Sequence, residues 1–361
     1  MFIAIVVVQF GYYIIVFGKF SFSKIKTSNQ KKIAISVIVC AKNEAENVRK
    51  FIPLLAEQNY PDFEIVLIDD ASSDETLDIF ETFEKQYSNI KLVKVENNEA
   101  FWGSKKFALT LGIKAAKNEY LLFTDADCYP KTRDWITNMS SQFTMQKTII
   151  LGYGAYEKIH GSFLNKIIRF ETLLTAVQYF SWTKLGHPYM GVGRNLAYKK
   201  EEFFRINGFI NHMKIRSGDD DLFINQSANN KNTTTSYCPE SFTYSVPKKT
   251  FGDWINQKRR HVATATYYKP FDRIQLGIFY FSQLSFFVTA IILLSFQFRW
   301  MIVLGIIVFR YLFTWISLGF SAGKLKEKDV MYWYPIIELI LIATQLRLFI
   351  TNLFSKPVHW K

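Results

Sequence analysis

Apolar positions are unevenly distributed along the chain. From Met1 to Phe17 the only clearly polar side chain is Gln9, and the run then meets Lys19, Lys24, Lys26, Lys31 and Lys32. A helix needs about 17 to 25 such residues to span a bilayer. A secretory signal would carry its positive charge before the apolar run and a small-residue cleavage site after it. Here the polarity is reversed, so residues 1–18 are read as an uncleaved anchor with the lysines on the cytoplasmic side. Near the other end, Leu276 to Phe296 and Trp300 to Phe320 are two more apolar runs joined through Arg299, followed by the basic stretch Lys324 to Lys328. They predict a transmembrane hairpin that returns to the cytoplasm. A last run, Trp333 to Phe354, contains Pro335, Glu338, Gln345 and Arg347, costly at bilayer depth unless paired or lining a cavity. Its path is open between spanning, re-entering and lying in the interface; spanning would put Lys356 and Lys361 outside. For Arg310, inside the hairpin, the options are lining a polar path, snorkelling or pairing with Glu338.

Between these regions, over residues 33–272, short apolar runs alternate with amphipathic segments, which predicts α/β structure with a mainly parallel sheet. Ile33 to Cys40 reads as a buried strand, followed by a helix from Asn43 to Leu55 with Val48, Phe51, Ile52 and Leu55 on one face. Phe63 to Asp69 is a second strand, and Ser72-Ser73-Asp74-Glu75 supplies capping chemistry for a helix to Tyr87. A third strand runs from Ile90 to Val95, a helix from Lys105 to Ala116, and a fourth strand, Tyr120 to Thr124, delivers Asp125-Ala126-Asp127 to its carboxyl end. Ligands of open α/β sheets bind at that edge.

Composition sharpens this division. Hydrophobic residues make up 49% and aromatics 17%, with 34 Phe against 21% charged residues, so part of the surface should face lipid. The net charge of +13 suits an anionic partner. Several of the lysines flank the apolar runs, where membrane lipid accounts for them, and no nucleic acid is expected. The cysteines Cys40, Cys128 and Cys238 show no CxxC spacing, which suggests neither a disulfide framework nor zinc and fits a reduced compartment. No P-loop and no HExxH occurs, removing ATPase and zinc protease readings.

Three acidic clusters carry the candidate chemistry. Asp69-Asp70 ends the second strand, from which a carboxylate can reach a ribose or base. Asp125 and Asp127, one residue apart at the end of a core strand, can bind a hard divalent cation. Asp219-Asp220-Asp221 are adjacent carboxylates whose repulsion raises at least one pKa and favours a metal, a base role or a cationic partner.

Ile35 to Glu44, Ile68 to Asp74, Asp125-Ala-Asp127, Gly191-Val-Gly193-Arg194-Asn195 and Gly218-Asp219-Asp220, in this order, resemble the family-2 inverting glycosyltransferases with the A-type nucleotide-sugar fold. The resemblance covers about residues 33–264. It implies an A-type glycosyltransferase fold, with a Rossmann-like, mixed but mainly parallel sheet between N-terminal and C-terminal transmembrane helices. It also implies transfer of a sugar, with inversion, from a nucleotide diphosphate donor, usually a UDP-sugar, to an acceptor hydroxyl. Carried over, Ala41 and Glu44 would flank the nucleoside and Asp70, helped by Asp69, would contact base or ribose. Asp125 and Asp127 would bind magnesium or manganese, Lys106 would approach the diphosphate, and Asp220 would be the general base, with Asp219 the alternative from a shifted alignment. Gly193, Arg194 and Asn195 fall in the acceptor or sugar loop.

Gln257-Lys-Arg-Arg260-His261 resembles the QxxRW motif of membrane synthases in this family. His261 stands where tryptophan is usual, a smaller and more polar face, while Arg260 suits a diphosphate leaving group. A second departure is Asn207-Gly208, where the family more often has two glycines. The expected organisation is an anchor at 1–18, a cytoplasmic glycosyltransferase domain at 33–272 and a membrane region at 274–354, in a bacterial inner membrane. The expected acceptor is lipid-linked or a glycan. A processive polysaccharide synthase is the alternative, and a non-catalytic nucleotide-sensing scaffold or transport component a further one.

Overall fold

The first apolar run forms a helix over Phe2–Ser21, made of α1 (Phe2–Phe10), a π-helical stretch (Gly11–Val16) and α2 (Gly18–Ser21). The computed structural model describes residues 1–25, 33–96, 105–215 and 217–354; Lys26, Lys31, Lys32, Lys356 and Lys361 lie outside the described residues. Strand and helix then alternate through β1 (Ile35–Ala41), α3 (Ala45–Ala56), β2 (Phe63–Asp69), α4 (Thr76–Gln86), β3 (Ile90–Lys94), α5 (Lys105–Ala115) and β4 (Tyr120–Asp125). α3 starts at Ala45, later than the expected Asn43. Asn43 takes a left-handed conformation, φ 55°, which asparagine tolerates better than most residues. Asp74 serves two helices, accepting the Thr76 N–H at 3.0 Å and the Ala45 N–H at 3.2 Å.

The second half adds β5 (Cys128–Pro130), α6 (Trp135–Ser140), β6 (Ile149–Leu151), β7 (Gly154–Tyr156), α7 (Phe163–Lys184), β8 (Leu196–Lys199), α8 (Lys200–Arg205) and α9 (Asp221–Ser227). There follow β9 (Thr233–Thr235), β10 (Thr243–Ser245), α10 (Phe251–Thr264), α11 (Pro270–Ser295), α12 (Trp300–Lys324) and α13 (Tyr334–Phe354). The main sheet has the order β3-β2-β1-β4-β8-β6-β9, and β5-β10-β7 form a second, smaller sheet. β1 is parallel to β2 and β4, while β8 runs antiparallel to β4 and β6. Connections leave β1 towards β2 on one side and β4 on the other, so the carboxyl ends of these strands form a switch-point crevice. Register places Ala41 opposite Asp69 and Cys40 opposite Asp125, which brings the first two acidic clusters to one edge.

Both faces of the sheet are covered, as a parallel sheet requires. Ile35, Val37 and Val39 enter one core and Ile38 the other. α5 packs so closely on β2 that a Cβ at Gly112 would lie 2.1 Å from Ile68 Cδ1. The core containing Ile38 runs without interruption into Phe2, Phe286, Phe313 and Leu341 of the apolar helices.

Four helical stretches, Phe2–Ser21, Pro270–Ser295, Trp300–Lys324 and Lys328–Asn352, are long and apolar enough to cross a membrane. The first packs on α11 through Gln9 Nε2, which donates to the Ser282 carbonyl at 2.8 Å, and Tyr12 OH, which donates to the Gln275 carbonyl at 2.7 Å. Arg310 is fully buried and forks onto Glu338, with Nη1 to Oε2 at 2.6 Å, while its Nε donates to Gln9 Oε1 at 2.8 Å. Of the three options for Arg310, pairing is the one realised. α13 differs from the other three in path: Tyr334 at its start packs on Phe170 of α7, and Asn352 near its end accepts from Arg259 of α10 at 3.2 Å. α13 thus packs against α7 at its start and α10 near its end.

Candidate active site

The acidic clusters converge where β1, β2 and β4 end and α9 begins. Gly218 holds φ at +90°, a value glycine adopts without strain, and turns the chain so that Asp219 and Asp220 face the ends of β1 and β4. Asp220 caps α9. Its Oδ1 accepts the Asp221 N–H at 2.7 Å and its Oδ2 the Gly193 N–H at 2.6 Å. Lys105, at the start of α5, joins two clusters, its Nζ lying 2.7 Å from Asp125 Oδ1 and 3.1 Å from Asp219 Oδ2. These groups, with Cys40 and Tyr198, surround a recess of about 20 Å³.

The environments of the three adjacent aspartates diverge. Burial would raise the Asp219 carboxyl, but the Lys105 ammonium beside it more than reverses this and holds it below the usual range. Asp220 is pushed up to about 7, first by burial and then by the charges of Asp219 and Asp221, with the Gly193 N–H opposing. Asp221 is also raised by burial, although it accepts from the Tyr268 hydroxyl at 2.7 Å and from Thr264 Oγ1. These contacts fasten α9 to the end of α10. Carboxylates whose environments separate their proton affinities are a common basis for acid–base division of labour.

Ligand atoms of Asp125, Asp127 and Cys128 lie within 4.8 Å of one another. The Asp127 carboxyl is raised by burial and by Asp125, an excess of negative charge that a divalent cation would relieve. Two carboxylates one residue apart suit a hard ion such as magnesium or manganese, so the residues fit the metal that the sequence suggests. Asp69 is buried, and its Oδ1 has no hydrogen-bond partner among the described residues. Burial raises the neighbouring Asp70 carboxyl. Ala41 lies beside this pair, with its carbonyl accepting the Asp70 N–H at 2.9 Å, and half-buried Glu44 accepts from Asn47 at 2.6 Å.

One residue, Lys106, holds a position different from that which the resemblance implies, and the role of Asn195 in its loop becomes visible. Lys106 is 1% exposed, and its ammonium donates to the carbonyls of His212, Ile215 and Ser217, each at 2.8 Å. It ties down the segment before Asp219 instead of facing the crevice, and Lys105 is the lysine among the acids. Helical phase was the available signal, since Lys106 shares a buried stripe with Leu109 and Ile113. Asn195 is fully buried; its Oδ1 accepts from Trp135 Nε1 at 3.1 Å and its Nδ2 donates to the Tyr153 and Ser241 carbonyls. It therefore braces the loop in which the resemblance puts it. Arg194 stacks on Tyr156 at 4.4 Å and reaches Ser245 Oγ at 3.1 Å, joining the loop to the smaller sheet. Asn207 occupies the family's glycine position with φ 59°, a conformation open to asparagine.

On α10, Gln257 and Arg260 are half-buried and His261 is exposed. Gln257 Oε1 and Trp254 Nε1, one helical turn apart, are buried without a hydrogen-bond partner among the described residues. Trp254, Lys105, Thr264 and Tyr268 were not singled out by the sequence motifs; proximity in the fold reveals them.

The description "Glycosyl transferase family 2" matches residues 36–209, and "Glycosyl transferase family group 2" matches residues 128–342, more than half of the chain. The chain belongs to glycosyl transferase family 2. A poly-beta-1,6-N-acetyl-D-glucosamine synthase of Staphylococcus epidermidis is 36% identical over 103 residues, 28% of this chain and 24% of that protein. The poly(ribitol-phosphate) beta-N-acetylglucosaminyltransferase TarS of Staphylococcus aureus is 34% identical over 96 residues, 26% of this chain and 16% of that protein. The matched segments thus span a quarter or less of these relatives. The mannosyltransferase PcManGT of Pyrobaculum calidifontis, solved with GDP-Man and Mn2+, matches over 98% of both chains with a TM-score of 0.60 and 18% identity. That likeness shows the A-type glycosyltransferase fold.

Proposed function

We propose that this chain is a membrane-bound, metal-dependent inverting glycosyltransferase that moves a sugar from a nucleotide diphosphate donor, a UDP-sugar for preference, to a hydroxyl of a lipid-linked or glycan acceptor. One observation carries the reading. A buried, proton-avid Asp220, held by the Gly193 N–H at 2.6 Å, faces the same crevice as Asp125, next to an Asp219 that Lys105 keeps ionised. A base poised near neutral pH beside a fixed cationic partner is what proton removal from an attacking hydroxyl requires.

Asp69, Asp70, Ala41 and Glu44 form the nucleoside side of the crevice, where the unpaired Asp69 Oδ1 can accept from a ribose hydroxyl or a base N–H. Asp125 and Asp127 would hold a divalent cation, which when bound offsets charge on the diphosphate. Lys105 keeps Asp219 and Asp125 in place. Asp220 takes the proton of the acceptor hydroxyl as that oxygen attacks the anomeric carbon, and the nucleoside diphosphate leaves from the opposite face. Gln257 and Arg260 stand on the helix that closes the site, where the guanidinium suits the departing diphosphate. The GDP-Man held by PcManGT and the N-acetylglucosaminyl transfer named for TarS support a nucleotide-sugar donor without choosing the sugar.

The basic residues that follow the anchor and the hairpin support an amino terminus outside and the α/β domain in the cytoplasm by the positive-inside rule. The deciding experiment incubates the purified chain in detergent with a panel of labelled nucleotide sugars and manganese. Release of nucleoside diphosphate and transfer are both expected to require the cation and to vanish in Asp127→Ala at unchanged expression. Full activity of that variant in excess chelator would remove the metal from the reading. Tight nucleotide binding without turnover of any donor would favour the sensing scaffold.

A further inference from the structure

A second concavity lies away from the acidic cluster. It is a groove of about 960 Å³ along the seam between α1 and α11, walled by Val8, Ile274, Ile278, Phe281 and Phe349. Its side chains are apolar apart from Ser282 and Ser285 along α11 and Arg273 at one end. Arg273 stands there, exposed, as the only charged side chain of the lining, and its guanidinium has no partner among the described residues. The groove exists because the residues that could fill it are small: Gly277 lies on its floor, and a Cβ added there would meet nothing within 4 Å.

The charged end is also the end nearest the reaction. Pro270, in the lining, follows by two residues Tyr268, whose hydroxyl donates to Asp221 at 2.7 Å. One turn further along α9, Asn225 donates to Asp272 Oδ2 at 2.9 Å and accepts the Lys269 N–H at 3.0 Å. The mouth of the groove is therefore hydrogen-bonded to the helix that Asp220 caps. An apolar trough with one unpaired guanidinium at its mouth complements a molecule with a long hydrocarbon chain and a single anionic head. Arginine's planar fork matches a phosphate in particular.

We propose that the α1–α11 groove takes the hydrocarbon chain of a phosphate-headed lipid, with Arg273 meeting the phosphate. Its role in the reaction, presenting the acceptor to the site, rests on the lipid-acceptor reading above; the binding itself does not.

The test uses the full chain in phosphatidylcholine nanodiscs carrying a diazirine-bearing long-chain alkyl phosphate or the matching neutral alcohol. Crosslinked peptides are mapped by mass spectrometry without any donor present. The phosphate probe is expected to label the Ile274–Ile278 segment about tenfold more than the alcohol. Arg273→Gln should reduce the two probes to the same level. Gly277→Phe should abolish labelling of that segment, while Gly305→Phe, on α12 where a Cβ also meets open space, should leave it unchanged. Melting curves of both glycine variants check that the fold is retained. Equal labelling by the two probes, or undiminished labelling in Gly277→Phe, would overturn the site, since ordinary boundary lipid would explain it. A disulfide-linked dimer formed by Ile278→Cys would assign the groove to a second copy and equally overturn it. Charge-dependent labelling combined with no sugar transfer to lipid by the unaltered chain would leave the groove standing and overturn the lipid-acceptor reading instead.

Discussion

Two clusters of buried charge, one in the helical bundle and one at the sheet edge, are built on opposite principles. In the bundle, Arg310 and Glu338 are balanced one to one, with Gln9 accepting from the remaining guanidinium nitrogen and Gln283 and Tyr334 donating to the carboxylate. At the sheet edge, Asp125, Asp127, Asp219, Asp220 and Asp221 share Lys105 as the one cationic side chain ion-paired with any of them among the described residues. A balanced, saturated cluster behaves as structure. An unbalanced one keeps carboxyl groups protonated or leaves them in need of a cation, which is a capacity for chemistry held at the expense of stability.

The largest effect should come from unbalancing the balanced cluster. Arg310→Ala strands Glu338, which is 3% exposed, and should lower stability by about 3–5 kcal/mol. Replacing both partners, Arg310→Met with Glu338→Leu, should recover most of that loss. Thermal melts in detergent distinguish the two. A double variant as unstable as the single one would mean that the pair does more than satisfy itself.

The converse change at the sheet edge should cost activity and not stability. Asp220→Asn keeps the shape, removes a disfavoured charge and should lower transfer by about 10²-fold or more, with donor affinity nearly unchanged and melting temperature no lower. Asp221→Asn should weaken the fastening to Thr264 and Tyr268 and act mainly on stability. Near-complete loss at Asp219→Asn with a weak effect at Asp220 would make Asp219 the base. Weak effects at all three would remove the base from this cluster.

The pH profile separates the clusters more finely. Asp220 must be ionised to act, and its carboxyl is raised to about 7, so transfer should fall about tenfold per unit below that value and level off above it. Stability runs the other way. A carboxyl that binds its proton more tightly in the fold than in the unfolded chain stabilises the fold at low pH. That contribution is lost as pH rises from the unfolded value through about 7. Asp220→Asn should flatten both trends; an unchanged stability slope would mean that another group titrates there.

The smallest effect concerns the backbone beside Asp70. Ala71 has φ 52°, a left-handed conformation that costs an alanine about 1 kcal/mol. Ala71→Gly should return roughly that amount in a denaturant titration, less the extra entropy of glycine in the unfolded chain. A loss of stability would show that the Ala71 methyl makes packing contacts that outweigh the strain.

Much of this was legible from residue pattern. Short apolar runs and amphipathic segments predict β1 to β4 and their helices because each must hide a continuous face, and the ordered acidic motifs mark the edge. Helical phase also held information that the motif obscured, as Lys106 illustrates: its neighbours Leu109 and Ile113 put it on the packed side of α5. Asn195 could not be read in this way. A loop residue shows no period, and its partners Trp135, Tyr153 and Ser241 come from three distant parts of the chain.

The sequence by itself determined the division into apolar anchor, α/β layer and apolar hairpin, the carboxylates at strand ends, and the family, because local periodicity and short motifs are properties of neighbouring residues. The tertiary structure decided which of three adjacent aspartates meets a cation, which of two adjacent lysines reaches the acids, and where α13 runs. Those outcomes depend on how far a charge lies from water and from opposite charges brought from elsewhere in the chain. Arg310 meets Glu338 and Lys105 meets Asp219 only after the helices pack, and the proton affinity of Asp220 is set by the same packing.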